Sequence, residues 1–155
     1  MCVAYAGAIP HWGFLHLDPN PDDPNVDADS GLLIHVGIRT GTSGSSAKYA
    51  NELKFKDVHS MSNSAIKHSY PVVGALLTRQ EAVSALTAIY NKKIGNYQIL
   101  ANNCQHFCII GMKELKDTVC PEISSDTIRA IERKTSPTTR VFYWFKVQLG
   151  RLQRE

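Results

Sequence analysis

Apolar and polar residues alternate along the first half of the chain and recur at helical spacing along the second, so the pattern predicts strands followed by helices. Cys2 to Ala6 reads as a short strand ended by Gly7 and Pro10. His11 to Leu17 follows as a strand in which Trp12, Phe14 and His16 face one way and His11, Gly13 and Leu15 the other, because successive strand side chains point to opposite faces. Leu32 to Arg39 is read as a central strand, with His35 on the face of Leu33 and Gly37 and with Leu32, Ile34, Val36 and Ile38 opposite. Glu52 to Val58 alternates Leu53 and Phe55 with Glu52, Lys54 and Lys56, which predicts a half-exposed strand. Tyr70 to Leu77 is apolar but contains Pro71 and Gly74, and proline cannot donate to a ladder, so this is an extended segment at a sheet edge.

The helical half begins at Thr78-Arg79-Gln80-Glu81, where the hydroxyl and the carboxylate can cap each other's backbone N–H groups. Val83, Leu86, Ile89 and Tyr90 form its apolar stripe and Gly95 is its stop signal. A short apolar run, Tyr97 to Leu100, then leads into Asn102-Asn103-Cys104-Gln105-His106-Phe107-Cys108, and helical spacing continues through Gly111 and Leu115. The predicted order is strand, Asn cap, helix. Pro121 breaks the pattern, Ser125 caps a short helix through Ile128 and Ile131, and Pro137 stops it. In the tail, Val141, Trp144, Phe145, Gln148 and Leu152 fall on one helical face, with Arg140, Lys146, Arg151 and Arg154 largely elsewhere. Residues 1–120 are expected to form one domain, and residues 121–155 a basic amphipathic helical extension docked on it. Weak contact with a membrane surface is the other use for such a face.

Two connections stand out. Asp18 to Ser30 holds three prolines and five aspartates with no basic residue, a loop or hairpin excursion. Gly41 to Ser46 is rich in small residues but lacks the lysine of a phosphate-binding loop, and is read as a turn.

At 155 residues the chain is long enough for one core. Its net charge of +3 is uneven, because Asp126 to Glu155 carries seven Lys/Arg against three acids. The basic character is confined to the tail, which gives no basis for nucleic-acid binding. Four irregularly spaced cysteines make no disulfide framework, so a reducing, cytoplasmic setting is expected. No apolar run approaches the roughly 18 residues of a membrane span. No cofactor or metal is expected. A zinc site from Cys104, His106 and Cys108 would need ligands on diverging faces of one helix.

The chemistry converges on Cys104. A cysteine in the first turn of a capped helix sits where the dipole and free N–H groups favour an anion, which lowers a thiol pKa. A buried core cysteine would carry the same pattern, since free Cys is among the most buried residue types. Cysteine catalysis needs two further groups, an imidazole that takes and returns the proton and a polar group that fixes the imidazole. His11 opens a strand on the face of the small Gly13, leaving room for a substrate or for the nucleophile's helix. His35, on a neighbouring antiparallel strand, can reach the second nitrogen of His11. The other candidates fit less well. Cys108 lies one helical turn beyond the cap, His106 points away from Cys104, and His16 lies on the opposite strand face from His11.

His11-Trp12, then His35 after an apolar triplet, then Asn103-Cys104-Gln105-His106-Phe107 resemble the permuted papain-like (NlpC-type) enzymes, in particular their lecithin:retinol acyltransferase-like branch. The resemblance covers roughly His11 to Lys116. It implies an α+β fold, a small antiparallel sheet packed against the helix that carries the nucleophile, with Cys104 as nucleophile, His11 as general base and acid, and His35 as the third polar residue. The implied activity is acyl transfer to an amine or alcohol, or hydrolysis of an ester, thioester or amide, through an acyl-Cys intermediate on a small-molecule or lipid-like substrate. A cysteine peptidase or isopeptidase, or a non-catalytic interaction module retaining the fold, are the alternatives. This chain departs from the branch in Gln105 for Glu, in Phe14-Leu15-His16 for Tyr-Val-Gly, and in the long acidic excursion between the two histidines.

Overall fold

In the computed structural model, residues 1–6, 11–19, 22, 27–38, 51–59, 66–94, 103–135 and 137 are described. Five strands come first: β1 (Cys2–Ala6), β2 (His11–Pro19), β3 (Asp27–Ile38), β4 (Asn51–Val58) and β5 (Ile66–Pro71). They form one antiparallel sheet in the order β4-β3-β2-β1-β5. Three helices follow, α1 (Arg79–Lys93), α2 (Cys104–Thr118) and α3 (Ser125–Glu132). The chain is therefore α+β, with antiparallel strands and helices segregated along the sequence, as the change of period predicts.

The alternation within strands decides the two faces. On one face, the cross-strand partners Val3, Phe14, Ile34 and Phe55 line up with Tyr70 of β5. Here α2 crosses β2 and β3. Cys104, Phe107, Cys108, Gly111, Met112 and Leu115 are all buried and recur every three or four residues, so one stripe of α2 meets the sheet. Phe14 and Phe107 meet edge to face with centroids 5.5 Å apart, a favoured geometry because the positive ring edge meets the negative ring face. Gly111 sets the approach. A Cβ there would lie 2.6 Å from Phe14 Cε2.

The other face has its own pattern. Leu15, Leu33 and Val58 form a small apolar cluster with Leu17 beside it. Next along the strands comes a row of cross-strand partners made by Gly13, His35 and Lys54. Gly13 does leave space, but His35 Cβ and Leu33 Cδ1 fill it, and α2 lies on the opposite side of the sheet. The sequence reading gave that space to a substrate or to the nucleophile's helix. It lacked the register that sets Gly13 directly against His35.

Several boundaries differ in instructive ways. β3 begins at Asp27, paired with Pro19 of β2, so the acidic excursion is partly strand. Aspartates are depleted in strands, yet a hairpin end can hold them because pairing tolerates polar side chains. The edge segment starts earlier than Tyr70, as β5 from Ile66, and pairs with β1. Gly74 adopts φ +88°, and a Cβ there would sit 2.2 Å from the Glu122 carbonyl oxygen. Only glycine fits both the conformation and the contact. The capping box at Thr78 forms with both of its hydrogen bonds, and α1 ends at Lys93. The α3 cap is Ser124, one residue before the expected Ser125, and accepts from Asp126 N. Ile128 and Ile131 of α3 join the core under α2. Gly95, Tyr97 to Leu100, Gly41 to Ser46 and the amphipathic tail from Val141 lie outside the described residues. No described helix is long and apolar enough to cross a membrane.

Candidate active site

The site is assembled by the start of β2, the middle of β3 and the first turn of α2. Asn103 caps α2, its Oδ1 accepting from Gln105 N at 3.0 Å and His106 N at 3.1 Å. This satisfies two of the N–H groups that a helix start leaves without intrahelical partners. The same oxygen accepts from His106 Nδ1 at 3.2 Å. His106 is fully buried, so it braces the cap from the core side.

Cys104 is 5 % exposed. Burial pushes its thiol above the ordinary range, while main-chain hydrogen bonds from Trp12, Gln105 and Cys104 itself pull the other way. The net direction is upward, against the expectation from the helix start alone. Desolvation disfavours the thiolate more than the main-chain donors favour it. The resting sulfur is therefore a thiol that needs a base. Cys108, one turn further and fully buried, is pushed up still more by burial and by Cys104.

The Trp12 hydrogen bond ties α2 to β2. The β2–β3 ladder starts at Gly13↔His35, whereas β3 continues to Ile38 against β4. At His11 and Trp12, β2 has thus left β3, and the Trp12 amide is directed to sulfur. The nucleophile candidate thus meets β2 at Trp12, the residue that follows His11 in the chain.

His11 and His35 meet directly, His11 Nε2 lying 2.6 Å from His35 Nδ1, with the rings edge to face at 4.6 Å. Two neutral imidazoles can share such a bond only if one nitrogen donates and the other accepts. Burial, then the Lys54 ammonium, lowers the His11 pKa. Burial, then His11, Lys54 and Lys56, holds His35 down to about 4. Both rings are neutral near pH 7. A His35 that stays neutral can accept from His11 Nε2–H, which leaves the His11 Nδ1 lone pair open to receive a proton.

The structure joins two of the three predicted residues by a hydrogen bond, and links the third to them through the Trp12 main chain. Among the described residues Cys104 makes no hydrogen bond to either imidazole, and catalytic hydrogen bonds are often long before substrate binds. His16 lies on the helix side, its Nε2–H donating to the Leu77 carbonyl at 2.8 Å. Among the described residues no three His, Cys, Asp or Glu side chains converge as a metal site.

Two neighbours of these side chains are not visible in the sequence. The Trp12 amide is a main-chain group, so no residue type announces it. In the sequence Lys54 is one polar position of a half-exposed strand, and its alignment with His35 depends on a register unknown until the strands pair. No family model, no curated protein and no solved structure matches this chain.

Proposed function

We propose that the chain is a cysteine-dependent acyltransferase or hydrolase of the permuted papain-like kind, acting on an ester, thioester or amide through an acyl-Cys104 intermediate. The observation that carries this reading is the 2.6 Å bond between His11 Nε2 and His35 Nδ1, formed beside the strand start whose Trp12 amide reaches the Cys104 sulfur. It is the arrangement a general base needs, one nitrogen held and the other free.

The chemistry runs in two balanced halves. Cys104 Sγ attacks the acyl carbonyl while its proton passes to His11 Nδ1, and the resulting imidazolium is held by neutral His35. The donors at the sulfur, Trp12 and Cys104 N–H, are those available to the tetrahedral oxyanion. Collapse breaks the bond to the leaving group, which takes the proton from His11. Water, an amine or an alcohol then loses a proton to His11 as it attacks the thioester, and departing Cys104 recovers it. A buried thiol with a raised pKa favours this coupled transfer over a preformed thiolate.

The same burial is the observation behind the second reading, a non-catalytic module that keeps the fold. Intact-protein mass spectrometry after treatment with activated short-chain acyl esters separates the two. The catalytic reading expects one adduct, absent in Cys104→Ala and much slower to form in His11→Ala. Equal acylation in His11→Ala, or no adduct with any donor, supports the module.

A further inference from the structure

The sheet face that carries the two histidines also carries a cation. Lys54 of β4 stands directly across from His35, in a row that continues to Gly13 of β2. Its stem is laid along the strand by the next residue pair. At Gly37 a Cβ would lie 3.2 Å from Lys54 Cδ, 3.3 Å from Cε and 3.7 Å from Nζ, so the missing side chain is the channel in which the lysine lies. A larger residue at 37 would displace the ammonium. Glu52 Oε2, 4.0 Å from Nζ, is the carboxylate partner. At that distance, with the two side chains 32 % and 43 % exposed, the pair is weak and leaves the ammonium able to take another anion. The ammonium acts on both rings of the imidazole pair, and Lys56, across from Leu33, acts on His35. Among the described residues no carboxylate shifts either ring.

We infer that Lys54, held over Gly37 beside the His11–His35 pair, is a specificity residue that binds a negatively charged group, carboxylate or phosphate, on the acyl substrate. The inference rests on the acyl-Cys104 reading and names the substrate class for it. An anion near the site also lessens the repulsion between Lys54 and the imidazolium that forms as Cys104 attacks, so a charged substrate is favoured in the transition state and not only in binding.

Two alkylating agents of similar size test this on the whole protein. Iodoacetate carries a carboxylate and iodoacetamide does not, and each transfers a two-carbon group, bonded through its methylene, to sulfur with loss of iodide and the thiol proton. Peptide mapping reads the rate constant at Cys104 for each. The expected ratio of iodoacetate to iodoacetamide is high in the wild type, falls several-fold in Lys54→Met, is retained in Lys54→Arg, and is unaltered by Lys92→Met, which removes the same charge from the far end of α1. Added salt should lower it, as screening requires. Protection of Cys104 from iodoacetamide then identifies the source of the anion. Protection by inorganic phosphate points to a soluble anion. Protection by phosphatidic acid vesicles beyond that by phosphatidylcholine vesicles, at equal phosphate, points to a headgroup. Either protection must be lost in Lys54→Met. A ratio unchanged by Lys54→Met, or protection by neither, overturns the inference while leaving the nucleophile assignment standing. Failure of Cys104 to react with either reagent, in a folded protein, overturns both.

Discussion

The two faces of the sheet are built from the same strands by the same alternation, yet they do different work. The face under α2 is apolar at Val3, Trp12, Phe14, Leu32, Ile34 and Val36, closed by the Phe14–Phe107 contact and by Gly111. Among the described residues, the face with Gly13 is apolar at Leu15, Leu17, Leu33 and Val58, and turns polar at His35 and Lys54. The first sets how tightly α2 is seated and so where Cys104 sits. The second holds the groups that would move its proton. Among the described residues the two meet at the start of β2, where His11 belongs to one face and Trp12 to the other, and where the Trp12 main chain reaches the sulfur. Separating support from chemistry lets each be damaged without the other, and the strongest tests exploit this.

Phe14→Ala should have the largest effect on stability. Removing a fully buried aromatic from beneath α2 costs about 3–5 kcal/mol, to be read as a lower denaturant midpoint. His11→Ala should do the reverse, slowing acylation of Cys104 by about 10²–10⁴-fold, the usual worth of a general base, with little change in the midpoint. If Phe14→Ala left stability intact, or His11→Ala unfolded the protein, the division between the faces would be wrong.

The histidine pair also predicts a dependence of stability on pH. Folded His35 titrates at about 4 and folded His11 below its ordinary 6.5, while the unfolded chain takes up protons near 6.5. Between these values the unfolded state binds more protons, so stability is fully present above about 6.5 and declines as pH falls toward about 4. Denaturant midpoints across this range should show the decline, and His35→Asn should flatten it. A decline unchanged by that substitution would mean that other groups cause it.

Smaller effects should follow at the joints. Asn103→Ala removes the acceptor for Gln105 and His106 N–H and should cost about 1–2 kcal/mol. Gly74→Ala forces a side chain into a positive φ against the Glu122 carbonyl and should lower the thermal midpoint. A neutral result at Asn103 would show that His106 and water replace the cap.

These particulars show what the sequence could and could not reveal. The caps at Thr78 and Asn103, the stripe of α2 and the faces of β2 and β3 were legible because each depends on local chemistry or a fixed period. The meeting of His11 and His35 was legible as soon as the two strands were taken to be antiparallel neighbours. The face on which α2 lies, the extension of β3 back to Asp27 and the place of Lys54 were not. They depend on register and on long-range packing, which alternation alone leaves open. The raised thiol pKa escaped for a related reason. A helix start is visible in sequence, but the depth at which it is buried is not.

Whether His11 activates the Cys104 thiol is read from the pH profile of alkylation by iodoacetamide. Activation by His11 should give a plateau near neutral pH that falls as His11 becomes protonated below 6.5 and that disappears in His11→Ala, leaving only a rise toward the elevated thiol pKa. A single rise at high pH, the same in wild type and in His11→Ala, would contradict it.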